Sequence, residues 1–197
     1  GVVMVVATRQ SDSLFSRGRM LDEDKITKAL NNATDLGAEY AEIRLVSETT
    51  NTASLKDGKL ERAIPGQEVG VTMRILADGA WGVHSTSDIA SIVDQVAPTL
   101  RLAKAVAARR SPSQLAVGLA EVPIIEDEIH WKSSKDVRDT DLDTRIEMML
   151  AIDNEAKDHE KIVSTSTGWS DEHIHTELMT SEGMNRVWLD AFHSHGL

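Results

Sequence analysis

Two Asp-Gly pairs, Asp57-Gly58 and Asp78-Gly79, restrict the fold of this chain more than any other feature of its sequence. A type I′ turn needs positive φ at both central residues. Glycine takes it without a Cβ clash and aspartate tolerates it, so each pair signals a two-residue β-hairpin. Between them Val69, Val71, Met73 and Ile75 alternate with Gly70, Thr72, Arg74 and Leu76, the period of two expected of a strand with one face on a core. Ala80 to His84 continues as the hairpin partner, Trp81 and Val83 alternating with Gly82 and His84. Pro65-Gly66 reads as a third turn, proline setting φ at the first central residue and glycine supplying the second. Leu55 to Asp88 is therefore expected to be an antiparallel meander.

Around it the helical signals are local. Leu21 to Leu36 carries Ile26, Ala29, Leu30 and Ala33 at helical spacing, with Asp22 to cap it, Glu23 and Asp24 in its positive first turn and Gly37 to stop it. A strand is expected over Tyr40 to Glu48, and Asn51 to Lys56 runs back toward Asp57-Gly58 and a strand from Leu60 to Ile64. Ser87 or Asp88 caps a second helix reaching about Ala108, with Ile89, Ile92, Val93 and Val96 inward. Pro98 requires that helix to kink, or to break and restart. Arg109 to Ala120 reads as a linker. Val122 to Ile125 is a short strand, Thr140 caps a helix from Asp141 to about His159 with Ile146, Met149 and Leu150 inside, and Lys161 to Trp169 with His173 to Thr180 form a hairpin around Ser170 to Glu172. The pattern is α+β: an antiparallel meander sheet packed by helices, with a helix-plus-strands pattern occurring twice. The expected divisions are a leader or remnant (1–19), a helix/meander/helix unit (21–108), a linker (109–121), a second helix-plus-hairpin unit (122–185) and an atypical tail (186–197).

Composition excludes several functions. A net charge of −11 opposes nucleic-acid binding, which needs clustered Lys and Arg. From Glu121 to Glu160, 13 acidic residues face 5 basic ones, a local balance of −8; a solvated acidic surface explains it. Zero cysteines exclude disulfides, thiolate metal sites and a Cys nucleophile, and suit the reducing cytoplasm. Val2 to Ala7 is apolar but far shorter than the ~20 residues of a membrane span.

No HExxH, G-x-S-x-G, P-loop or G-x-G-x-x-G motif is present, and no catalytic residue is assigned. His173-x-His175 is the best metal candidate, since both rings project from one face of a strand and Glu177 can add a carboxylate; His193-x-His195 is a second pair. This opens a small metal hydrolase as one alternative, against solvated histidines on a hairpin. His84, Ser85 and Asp88 superficially suggest a nucleophile set, yet capping explains Ser85 to Asp88 better. Glu126, Asp127, Glu128 and His130 offer a cation site or an ordinary acidic strand end. Trp81 is either a stacking platform or a core residue; with Arg74 and His84 it completes the substrate-binding candidates.

Four segments together resemble the amino-terminal half of the TldD/PmbA family, also called the modulator of DNA gyrase family: GAEYAEIR (Gly37 to Arg44), DGKLE (Asp57 to Glu61), GVTMRILADGAWGVHSTSD (Gly70 to Asp88) and VSTSTGWSDEHIHTELMTSEG (Val163 to Gly183). The resemblance covers roughly residues 21 to 185 and fades from Arg186. It implies a dimeric zinc metallopeptidase acting on unfolded polypeptides, with ligands from a H-E-x-x-x-H helix and a later cysteine. This chain has neither, so zinc is implied only for the full-length family member. What the resemblance implies here is a scaffold that helps enclose a peptide substrate and a homo- or heterodimeric partner, with no direct nucleic acid and no membrane. An extended peptide adding to a sheet edge fits that role. A stand-alone interaction module using the same edge is the other alternative.

Overall fold

The structure, a computed structural model, describes residues 19–111, 115–130 and 139–196, with no side chains described for 130 and 191–196. The expectation for the leader therefore falls outside the described residues, apart from Arg19. In order come α1 (Glu23–Asp35), β1 (Tyr40–Lys56), β2 (Lys59–Ala77), β3 (Ala80–Thr86), a 3-10 helix (Ile89–Gln95), α2 (Val96–Ala108), β4 (Glu126–His130), α3 (Leu142–Lys157), β5 (Ser166–Thr180) and β6 (Asn185–Gly196). The six strands form one sheet in the order β3-β2-β1-β5-β6-β4, antiparallel except for β4 beside β6. The molecule is α+β, as its sequence implies.

Both Asp-Gly turns form as expected, with φ of 49° and 74° at Asp57 and Gly58 and 50° and 69° at Asp78 and Gly79. Asp22 caps α1 through Lys25 N at 3.1 Å. Asp88 caps the 3-10 helix through Ala90 N at 3.2 Å. The Pro98 conflict resolves as a restart: the 3-10 helix ends at Gln95, and Pro98 falls in the first turn of α2, where its missing N–H has no intrahelical acceptor to lose. α3 is capped one residue later than expected, by Asp141 accepting from Thr144 N at 2.7 Å.

The strands are longer than local signals suggest, and three expected breaks are corrected. β1 runs unbroken through Thr49, Thr50 and Asn51, because β2 and β5 pair with it along nearly its whole length. β2 passes straight through Pro65-Gly66 instead of turning. The two-residue turn makes Ala77 and Ala80 a hydrogen-bonded pair, so odd-numbered residues of β2 bond toward β3. β3 stops opposite Val71, so Pro65 aims its absent donor at an open edge, where no ladder bond is lost. Gly66 is needed for closeness instead: a Cβ there would collide with Thr50 Oγ1. β5 likewise continues through Ser170 to Glu172, since Asp171 turns inward to an ion pair from α3. The hairpin turn lies at Ser181 to Met184 instead, with Gly183 at φ +97°. Val122 to Ile125 is not a strand; the parallel ladder begins at Glu126.

The core lies on one face of the sheet. Ala41, Ile43 and Leu45 from β1 and Val71, Met73 and Ile75 from β2 are at most 1% exposed. They pack against Ile26, Leu30 and Ala33 of α1 and Val96, Leu100 and Ala103 of α2. Fully burying each large aliphatic side chain contributes about 1.5–3 kcal/mol. α3 covers the far end, seating Met149 on Ala53 and Leu55. Among the described residues no helix covers the opposite face.

Candidate functional site

Register decides what that open face carries. Glu42 lies opposite Arg74, Arg74 opposite Val83, and Leu76 between Tyr40 and Trp81. Arg74 and Trp81 are thus brought together: the guanidinium sits 4.3 Å from the ring centroid and 3.2 Å from Glu42 Oε1. Tyr40 meets Trp81 edge-on at 5.9 Å and donates its hydroxyl to Glu42 Oε2 at 2.8 Å. Burial, and then the Glu42 carboxylate, push the Tyr40 phenol above its ordinary value of 10.0. The guanidinium and both rings therefore hold each other in fixed rotamers. Tyr40 and Glu42 escaped the sequence reading. Their i, i+2 spacing puts both on one face, but only the β1–β2 register places Glu42 beside Arg74.

Further across this face, Arg44 and Arg186 flank the Trp188 ring at 5.6 and 5.9 Å. Glu48 lies opposite Glu68, and its carboxyl is raised by burial and by the neighbouring Glu172 carboxylate. The open face thus alternates arginine–tryptophan stacks with an acidic cluster.

His84 lies elsewhere. It pairs with Met73 and so shares the helix-packed face, away from Arg74 and Trp81. Successive strand residues point oppositely, which also separates His84 from Ser85. Ser85 Oγ contacts Thr72 Oγ1 at 2.9 Å, and Asp88 caps a helix, so no nucleophile set assembles.

His173 and His175 do share a face, with Glu177. His175 Nε2 lies 2.7 Å from Glu177 Oε1, and Glu177 also accepts the main-chain N–H groups of Met20 and Leu21. Burial pushes Glu177 up, but these hydrogen bonds outweigh it and hold the carboxyl below its ordinary 4.5. Glu177, bonded to His175, thus ties the chain entering α1 to β5. Among the described residues no three His, Asp or Glu side chains converge as ligands, at His173 and His175 or at Glu126 to Glu128. The side chains of His130, His193 and His195 lie outside the described residues.

Among the described residues the meander has two open stretches. One is the outer edge of β3; the other is β2 from Lys59 to Gly70, where β1 is the only described neighbour. The start of the β3 edge is met by the chain following α2: Val117 N donates to Gly79 O at 2.9 Å, and Arg110 Nη1 to Asp78 O and Gly79 O at 3.1 and 3.0 Å. No described helix is long and apolar enough to cross a membrane.

Comparison with known proteins accords with this architecture. Residues 41–109 match the family model described as PmbA/TldA metallopeptidase domain 1. A metalloprotease of Methanocaldococcus jannaschii is 32% identical over 168 residues, covering 83% of this chain and 35% of the relative. A metalloprotease of Methanothermobacter thermautotrophicus is 26% identical over 163 residues, 83% of this chain and 34% of the relative. The chain thus spans about a third of the length of these relatives. The same fold occurs in a candidate modulator of DNA gyrase from Bacteroides thetaiotaomicron (TM-score 0.63, 21% identity, 90% of this chain and 41% of that one). It occurs also in TldE from Thermococcus kodakarensis (TM-score 0.62, 14% identity, 86% and 38%).

Proposed function

The chain is an amino-terminal portion of the TldD/PmbA family, and on that premise we propose that it serves as the substrate-enclosing scaffold of a metallopeptidase acting on unfolded peptides. The observation that carries this reading is a sheet that, among the described residues, leaves one face without a helix and two stretches of its meander edge open. An unfolded segment can join such an edge through main-chain hydrogen bonds, with little demand on its own sequence. A folded protein offers far fewer such groups, because most of its backbone is already paired.

The zinc implied for the family does not fit the donors in this chain. It has no cysteine and no H-E-x-x-x-H, and in its best histidine pair His175 is hydrogen-bonded to Glu177, which in turn holds the main chain at Met20 and Leu21. Bond cleavage therefore belongs to residues other than these, in a partner subunit or in the remaining length that the relatives possess. The scaffold works in the cytoplasm and pairs with a like or related subunit. Its charge of −11 keeps it from acting on DNA directly.

The test is a titration of the isotopically labelled chain with a reduced, unfolded polypeptide, followed by amide NMR shifts and by mass spectrometry with added zinc. The expected outcome is shifts at the meander edges and an uncleaved polypeptide. Cleavage that persists through repurification, or shifts at no edge strand, would overturn the proposal.

A further inference from the structure

We infer that the outer edge of β3 and the groove beside it bind an extended peptide segment that carries an apolar side chain and, two residues along on the same face, a carboxylate. This rests on the sheet-edge reading above and narrows it to one edge and one ligand chemistry.

Hairpin geometry sets the edge. With Ala77 and Ala80 as the hydrogen-bonded pair closing the turn, Gly82, His84 and Thr86 also bond toward β2. Trp81, Val83 and Ser85 then turn their N–H and C=O groups outward. The preceding outward carbonyl, Gly79 O, already accepts from Val117 N, so the chain's own backbone takes the first position along the edge and a peptide adds beyond it. Among the described residues no backbone group takes the rungs that follow.

The other open stretch is a poorer receptor. Its outward-facing row runs through Ala63, Pro65, Gln67 and Val69, and Pro65 removes a donor from the middle of it. The cavity at its end, about 280 Å³, is lined by Arg44 but also by Glu48 and Glu68, a net negative lining that disfavours an acidic peptide.

Beside β3 the lining is different. A groove of about 710 Å³ is bounded by Trp81, Val106, Leu115 and Val117, with Arg109 and Arg110. Val106, Leu115 and Val117 are 46%, 91% and 41% exposed, an apolar surface that no other described residue covers. Arg110 is anchored on the Asp78 and Gly79 carbonyls, so its charge stands fixed at the groove. Among the described ion pairs neither Arg109 nor Arg110 meets a carboxylate, although the chain as a whole is strongly acidic. A peptide strand on Trp81, Val83 and Ser85 supplies what is missing: backbone for the rungs, an apolar side chain for the groove, and a carboxylate for the guanidinium groups.

The probe is a fluorescein-labelled hexapeptide of threonine and valine with Phe and Glu two residues apart at its centre, read by anisotropy and by amide shifts of the whole chain. Shifts are expected at Trp81, Val83 and Ser85 and around Val106 and Val117. Replacing the probe's Glu by Lys, its Phe by Ala, or N-methylating the amide that faces β3 is each expected to weaken binding at least tenfold. Val83→Pro, which removes an outward N–H and no bond to β2, abolishes binding, whereas Gln67→Pro on the β2 edge leaves it unchanged. If Val83→Pro fails to fold, the N-methylated probe on the unaltered chain decides. Shifts confined to 63–69, with loss in Gln67→Pro, overturn this site while leaving the sheet-edge proposal standing. Equal binding of the Lys probe overturns the role of the arginines, and no response at any edge overturns both proposals.

Discussion

Arg145 and Asp171 form an ion pair with side chains only 4% and 3% exposed and 2.7 Å between Nη1 and Oδ2. Asp171 also accepts from Asn51 Nδ2 at 3.0 Å and Trp169 Nε1 at 3.1 Å, so this carboxylate joins α3, β1 and β5. Breaking a buried pair from one side costs about 3–5 kcal/mol, because the surviving charge stays out of water uncompensated. Arg145→Met leaves Asp171 its two neutral donors and belongs at the lower end, ~3 kcal/mol. Asp171→Leu takes the carboxylate from the guanidinium and deprives Asn51 and Trp169 as well, at ~5 kcal/mol. The double variant removes both charges and is expected to fall at least ~2 kcal/mol short of the sum. With a urea slope of ~2 kcal/mol per M, the single midpoints drop by about 1.5 and 2.5 M. Urea unfolding of the four proteins, followed by far-UV circular dichroism, reads this directly. Additive losses, or single variants costing under ~1 kcal/mol, a value typical of exposed pairs, would refute the claim that this pair holds α3 to the sheet.

Three further outcomes are expected. Gly82→Ala places a Cβ against Thr99 O, Ala103 N at 2.9 Å and Thr99 C at 3.2 Å, backbone that cannot swing aside. It should cost about 1–3 kcal/mol and lower the melting midpoint by ~2–4 °C per kcal/mol, measured by calorimetry. Tyr40 is the chain's single tyrosine, so absorbance at 295 nm reports it alone; its phenol should titrate above 10.0, and Glu42→Gln should bring it down. Glu177 has a folded pKa below 4.5, so its contribution is fully present above that value and is lost as pH falls through the depressed one. Urea midpoints below pH 4.5 should therefore fall more steeply for the native chain than for Glu177→Gln.

Much of the fold was legible because its signals act over short distances. An Asp-Gly pair dictates its own φ values, and Asp22 and Asp88 satisfy N–H groups two or three residues ahead. The alternation of Val69 to Leu76 marks a core face wherever that core comes from. Where the reading went wrong, a distant partner outweighed a local preference. Pro65-Gly66 carries turn chemistry, yet a ladder to β1 holds it extended, with the proline facing an open edge. Ser170 to Glu172 is polar enough for a loop, yet Arg145 draws Asp171 into the sheet. In the candidate site, Arg74 and Trp81 were named from sequence and found stacked, while Tyr40, Glu42, Val106 and Arg109 were found only in the coordinates.

The sequence by itself determined where the chain turns tightly, where helices begin, and which residues avoid water, since those choices depend on neighbours within a few positions. Tertiary structure alone decided how far each strand runs, that His84 lies on the opposite face from Arg74 and Trp81, and which edges remain open. Those outcomes depend on pairing between residues as far apart as Ser47 and His175, and on β3 being seven residues long against nineteen in β2. Register is a property of two strands together, and neither strand encodes it alone.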